Sequence, residues 1–194
     1  MYYCFLDKPI GELLQAGEDG ALSMIGFPKG SMRREPEADW IFNEQALAEA
    51  CRKLREYFAG ERRQFDIPLQ LNGTEFQVSV LQALLKIPYG QTTSYGEIAK
   101  RIGRPKAVRA VGAANGRNPI PIVVPCHRVI GSTGDLTGFG GGLDTKEALI
   151  RLEAEHTQDL LSTLTFHRPQ GSRWLDALLD EVVRLQGREP ALQR

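Results

Sequence analysis

Cysteine and histidine are scarce in this sequence. The three cysteines (Cys4, Cys51 and Cys126) form no CxxC pair, and their odd number leaves at least one without an intramolecular partner. Free thiols in a reducing cytosol are the expected state, and a cytoplasmic location goes with it. The three histidines (His127, His156 and His167) bring no two Cys or His residues to finger-like spacing, so no metal site is expected. Long apolar runs are also missing. Nothing approaches the roughly 18 consecutive apolar residues of a membrane span, and no membrane partner is expected. The opening "MYYCFLDKPIG" has no basic region followed by a long apolar stretch, so no signal peptide is expected either. Net charge is zero, which at first disfavours a nucleic-acid partner.

The distribution of charge says otherwise. From Lys86 to Arg128 there are eight Lys and Arg against one acid, Glu97, a local +7 that the rest of the chain balances with −7. A basic segment in a neutral protein is the footprint of a polyanion-binding face. A merely solvated face would ordinarily mix signs. At 194 residues, 42% hydrophobic and 25% charged, the chain is an ordinary globular one with room for one full domain or two small ones.

"YYCFLD" and "GELLQAGEDGALSMIGF" read as a strand followed by a hairpin turning at "GEDGA". "FNEQALAEACRKLREYFAG" carries Leu47, Ala50, Cys51, Leu54 and Phe58 at helical spacing, with Asn43 as N-cap and Gly60 as stop. Cys51 is expected to pack there as a small hydrophobe. "RRQFDIPLQLNG" reads as a linker, with a boundary near Pro68 to Gly73. "TEFQVSVLQALLKIPYG" opens a second helix with a Thr74–Gln77 capping box and an apolar stripe of Phe76, Val80, Leu81, Leu84 and Leu85.

In "TSYGEIAKRIGRPKAVRAVGAANGRNP" one helix is expected from Tyr95 to Ile102, capped by Ser94. Gly103-Arg104-Pro105 then turns the chain into a second helix from Lys106 to about Asn115. Two such helices joined by a short glycine-containing turn read as a helix-turn-helix. The second helix offers only Arg109 and Asn115 as long polar side chains; the rest are alanine, glycine and valine. A base-reading helix presents more. This surface suits close, shape-based approach to DNA with one side chain inserted.

"IPIVVPCHRVIG" places a thiol beside an imidazole. Cys126 read alone can be a buried inert cysteine, a metal ligand or a nucleophile. A free thiol titrates near pH 8.5, so an activated one needs a base or cation, and the base needs an orienting group. Adjacent side chains on extended chain diverge, so Cys126 and His127 would meet only through a turn or a bridging water. Glu153, on a last helix started by Asp144 or Thr145 and turning Ala148, Leu149 and Leu152 inward, is the candidate acid. Between them "GSTGDLTGFGGGL" supplies a loop whose backbone can approach a ligand closely.

"RAVGAANGRNPIPIVVPCHRVIG" followed by "GFGGGLDTKEALIRLE" resembles the O6-alkylguanine-DNA alkyltransferases, densely from Thr74 to Glu153 and more loosely toward the N-terminus. The resemblance implies an α/β (α+β type) fold. A small N-terminal antiparallel sheet domain with a helix (1–70) would precede a mainly helical domain with the helix-turn-helix and active-site loop (71–155), then a helical tail (156–194). It implies single-turnover repair of double-stranded DNA, moving an alkyl group from guanine O6 in a flipped-out base to Cys126; action on thymine O4 is left open. His127 would act as base through a water, Glu153 would orient it, and Asn118 would brace the turn. Tyr95 would contact the flipped guanine, Arg109 would fill the gap in the duplex, and backbone at Val129, Phe139 and Gly140 would read the base. Ala110, Arg117 and Arg128 complete the expected DNA-binding set.

A stable thioether needs no cofactor, and none is expected. Some relatives carry zinc in the N-terminal domain; Cys4 here is expected to lack Cys and His partners for it. Gly140 and Phe139 stand where relatives have serine and tyrosine. A monomer is expected, with cooperative assembly on DNA left open. The rival readings are a damage sensor of the same fold, a transcriptional regulator and a cysteine hydrolase. The tail pattern "SRWLDALLDEVVRLQG" is expected to pack through Trp174 and its neighbours on the N-terminal domain.

Overall fold

The structure is a computed structural model that describes residues 1–157; the pattern around Trp174 lies outside the described residues. Alternating apolar residues form β1 (Tyr2–Leu6), β2 (Leu13–Glu18) and β3 (Ala21–Gly26), which pair antiparallel in sequence order. The β2–β3 turn has both central residues at positive φ, Asp19 at 51° and Gly20 at 76°. That twist matches the right-handed twist of the strands it joins. A fourth strand, β4 (Ile41–Phe42), pairs parallel with β1, giving the order β3-β2-β1-β4. The sheet is antiparallel as expected, with this one short parallel strand added at its edge; two residues are too few to show a period.

The stretch read as a linker is part of the sheet's edge. Leu22 N–H donates to Pro68 O at 2.9 Å, and Gln70 N–H donates to Leu22 O at 3.1 Å. Ile25 N–H donates to Pro119 O at 2.9 Å. The free side of β3 is therefore covered, and the chain just before the "IPIVVPC" run is fastened to the sheet.

Asn43 Oδ1 accepts from Ala46 N and starts a 3-10 turn (Gln45–Leu47) that leads into α1 (Ala48–Phe58). The inward aromatic is Tyr57; Phe58, the expected one, is half-buried. The Thr74–Gln77 capping box opens α2 (Glu75–Leu84) as expected, while Leu85 turns out to solvent. Ser94 Oγ accepts from Glu97 N and starts α3 (Tyr95–Arg101). A turn with Gly103 at φ 71° leads to α4 (Val108–Gly116), which begins two residues later than its sequence suggests.

Two residues before α3 and two after Arg128 form a parallel pair, β5 (Thr93–Ser94) and β6 (Val129–Ile130). The last helix is α5 (Leu143–Glu155), preceded by Gly142 at φ 94° rather than capped by Asp144 or Thr145. Its inward face is Thr145, Lys146, Leu149, Ile150 and Glu153; Ala148, expected inward, shares the outward face with Glu147. One apolar cluster runs from Leu6 and Leu13 of the sheet through Leu54, Leu84 and Ile98 to Leu149. Each fully buried Leu or Ile in it contributes about 1.5–3 kcal/mol.

Candidate active site

Cys126–Arg128 forms a single 3-10 turn at the end of a buried apolar run, Ile120 to Val124. Before it, Ile122 sits at φ 75°, a region that β-branched residues avoid. Holding it there costs on the order of 1–3 kcal/mol, and the burial of Ile120, Ile122 and Val124 offsets that. Asn118 ties the loop: its Nδ2 donates to Val124 O at 2.7 Å and its Oδ1 accepts from Ile120 N at 3.0 Å. Its side chain also reaches the Cys126 thiol. Cys126 is fully buried, and burial pushes its thiol up to about 11 against the help of Asn118 and the Lys146 charge.

The turn directs the His127 side chain toward α5. His127 Nε2 lies 2.8 Å from Glu153 Oε1, while Nδ1 is buried with no hydrogen-bond partner among the described residues. With the carboxylate ionised, Nε2 carries the proton and Nδ1 keeps its lone pair. Desolvation holds the imidazole below its ordinary value, so the ring is neutral at neutral pH and its Nδ1 lone pair is available.

Arg128 is the main correction. Expected as a DNA contact, it is buried at 6% exposure. Its Nε donates to Glu153 Oε2 at 2.9 Å, Nη2 to Oε1 at 2.9 Å, and Nη1 to Ile87 O at 2.6 Å. The guanidinium also lies over the Tyr89 ring at 5.6 Å. A carboxylate that must stay ionised inside a protein needs such a partner, and Arg128 provides it. Gly90 N–H donates to Oε2 at 3.0 Å as well. His127 and Arg128 hold the Glu153 carboxyl well below the usual carboxylate range despite its burial.

Two site residues escaped the sequence reading. Tyr57, from α1, donates to Glu153 Oε1 at 2.7 Å, and burial raises its phenol. Its only sequence signal is its place three residues after Leu54 on the inward stripe. Tyr57→Phe should cost about 1.5–3 kcal/mol, the range for a hydrogen bond to a charged group; urea unfolding measures it. Lys146 is fully buried, donating to Val129 O at 2.6 Å and Thr137 O at 2.7 Å. Desolvation brings its ammonium down to about 8, opposed by the nearby Cys126. Its spacing to Leu149, Ile150 and Glu153 on one helix face was the available signal.

Tyr95 O–H donates to Thr137 O at 3.2 Å, bridging the start of α3 to the glycine loop. Val129 is buried, its backbone in β6 and its carbonyl on Lys146. Phe139 packs edge-on against Phe27 with ring centroids 5.7 Å apart. Gly140 O accepts from Met32 N at 3.1 Å, and a Cβ at Gly140 would lie 2.5 Å from Met32 Cγ. Close packing on the N-terminal segment is thus the local reason for glycine there. Arg109, Ala110 and Arg117 are exposed on or just after α4, and of the eight basic residues in the segment Arg128 alone is buried. Lys100 is paired with Glu97 at 2.6 Å.

The two pKa shifts in this network set an acid limit on stability. His127 lies below its ordinary 6.5 and Glu153 below its ordinary 4.5 in the folded state. The unfolded chain therefore binds more protons as pH falls, and stability is lost from about 6.5 downward, then further below 4.5. Denaturant titrations across this range check it; in His127→Gln the upper part of the loss should disappear.

A buried thiol followed by an imidazole held on a carboxylate, in a chain with an exposed basic helix-turn-helix, fits the class of DNA-associated proteins. Residues 1–71 match the family described as "6-O-methylguanine DNA methyltransferase, ribonuclease-like domain". Residues 75–155 match that described as "6-O-methylguanine DNA methyltransferase, DNA binding domain". The chain is 56% identical over 153 residues to a methylated-DNA–protein-cysteine methyltransferase of Methanosarcina acetivorans, covering 79% of this chain and 98% of that protein. It is 54% identical over 156 residues to its namesake in Mycolicibacterium paratuberculosis, covering 80% and 93%. Among solved structures, a Mycobacterium tuberculosis OGT in complex with DNA superposes with a TM-score of 0.76 at 47% identity, covering 84% of this chain and 99% of that one. The chain belongs to the 6-O-methylguanine DNA methyltransferase family.

Proposed function

We propose that this protein repairs DNA alkylated at guanine O6 by moving the alkyl group to Cys126 in one irreversible event per molecule. The observation that carries this reading is Cys126 itself, buried next to an imidazole whose Nδ1 is free and whose Nε2 is fixed on Glu153. The thiol proton passes to His127 Nδ1, across one water if the turn keeps the two apart. The sulfur electron pair forms a bond to the alkyl carbon, the carbon–O6 bond breaks, and its electron pair stays on the guanine. The product is a thioether, which no group at this site reverses.

A base inside a duplex cannot reach a buried thiol, so it must be extruded, at a cost of a few kcal/mol. Arg109, exposed on α4, enters the gap, and the small residues around it let the helix lie close to the DNA. Ala110 and Arg117 contact the backbone nearby. Tyr95 donates to the extruded guanine, and backbone groups of Val129 and the Phe139–Gly140 loop read its edge. Repair at any guanine calls for this shape-based contact rather than base-reading side chains. One chain holds every group the reaction uses, so it acts as a monomer on double-stranded DNA, in the cytoplasm where that DNA is.

Arg109→Ala should reduce the rate of transfer from duplex by about 100-fold while leaving transfer from the free base O6-benzylguanine within twofold, an order of magnitude set by the few kcal/mol of extrusion. Single-turnover kinetics on both substrates check it. The function is tested by labelled methyl transfer from excess O6-methylguanine duplex. A plateau at one label per chain supports it. Turnover beyond that indicates a hydrolase, and binding without transfer indicates a damage sensor.

A further inference from the structure

Cys4 has one cysteine neighbour among the described residues, Cys51; the two make a pair of sulfurs and not the Cys and His set of a zinc site. Cys4 Sγ lies 3.1 Å from Cys51 Sγ, joining the middle of β1 to the second turn of α1 across 47 residues of chain. Both thiols are buried in a small cluster with Leu47. Gln15, opposite Cys4 on β2 and fully buried, donates its Nε2 to Cys51 Sγ at 3.1 Å. Among the described residues there is no third His, Cys, Asp or Glu to make this a metal site.

We propose that Cys4 and Cys51 are an oxidative modification site, a dithiol that closes to an intramolecular disulfide on reaction with a small hydroperoxide. Two sulfurs at 3.1 Å are already inside van der Waals contact, and a disulfide needs them at about 2.05 Å. The pair is asymmetric. Cys51 Sγ receives a donor from Gln15, so it is the sulfur whose anion the surroundings stabilise, with Cys4 S–H as the second donor. These hydrogen bonds lower the Cys51 thiol and raise that of Cys4.

The chemistry balances with hydrogen peroxide as the oxidant. Cys51 thiolate attacks one peroxide oxygen, giving a sulfenic acid and hydroxide. Cys4 thiol then displaces the sulfenic hydroxyl as water, forming the S–S bond. Two thiols and one peroxide give one disulfide and two waters. Cys126 offers a contrast, since Cys4 and Cys51 contact each other. The N-terminal pair is therefore expected to close to a disulfide while Cys126 stays reduced, because among the described residues only there does a second thiol already stand in contact to displace the sulfenic hydroxyl.

The test is a peroxide titration of the full chain followed by non-reducing peptide mapping, with Cys126 tracked as a free thiol by mass. That readout does not depend on the repair reading. The expected result is a mass loss of two hydrogens, restored by dithiothreitol, with a Cys4–Cys51 linked peptide and Cys126 still reduced. In Cys4→Ala, dimedone should trap a sulfenic acid on Cys51; in Cys51→Ala, no link should form. Oxidation of Cys126 while Cys4 and Cys51 remain thiols would overturn the proposal, and so would linkage only between molecules.

Discussion

Replacing Arg128 by methionine is expected to lower stability by about 3–5 kcal/mol, because it leaves Glu153 ionised and buried without its cation. For a chain of this size that is a fall of roughly 10 °C in Tm. Methionine fills much of the space, so cavity formation contributes little, and the loss reports charge. Four hydrogen bonds to Glu153 and Ile87 disappear together with the stacking on Tyr89. What remains on the carboxylate is His127, Tyr57 and Gly90 N–H. The structure makes a second demand on the same variant. His127 becomes the only cationic candidate beside Glu153, so its pKa should rise and the pH at which the base loses its lone pair should rise with it. Adding Glu153→Gln to Arg128→Met should recover part of the lost stability, since the orphaned charge is then gone. Differential scanning calorimetry on the two variants measures this. A double variant no more stable than Arg128→Met would show that packing, not charge, holds the turn.

Cys126→Ala is expected to abolish transfer completely and leave binding to alkylated duplex intact. No second nucleophile replaces it. Cys4 and Cys51 belong to a separate buried cluster with Leu47, not to the core cluster that holds Cys126. Loss of one sulfur from a packed core costs stability of the order of 1–2 kcal/mol, within the range of a single large-to-small change. The helix-turn-helix, Tyr95 and Arg109 are untouched, so the variant should hold the damaged base without consuming it. Gel-shift titration beside a transfer assay separates the two properties. Residual transfer in this variant would move the chemistry to another side chain.

Much of the fold could be read from local signals. The Asp19-Gly20 hairpin, the Thr74–Gln77 capping box and the Ser94 cap each combine residue types that satisfy backbone groups in only one way. Short elements escaped: β4, β5 and β6 have two residues each, below any detectable period. Cys126 and His127 stood out as a thiol–imidazole pair and Glu153 as the orienting acid such a pair demands, whereas Asn118 came from the family resemblance. Arg128 was misplaced because an arginine in a basic segment has the same one-dimensional signature whether it faces DNA or a buried carboxylate. Tyr57 and Lys146 were missed for a related reason: their partners, Glu153 and the carbonyls of Val129 and Thr137, are fixed by packing between distant segments. The approach of Cys4 to Cys51 is likewise a property of how α1 lies on the sheet.

The central claim is that Cys126 accepts the alkyl group and keeps it. Intact-protein mass spectrometry after incubation with excess duplex containing one O6-methylguanine tests it most directly. The account expects a gain of one CH2 in mass, mapped to Cys126, stopping at one per chain and absent from Cys126→Ala. An unmodified Cys126 on a protein that binds the same duplex tightly would contradict it.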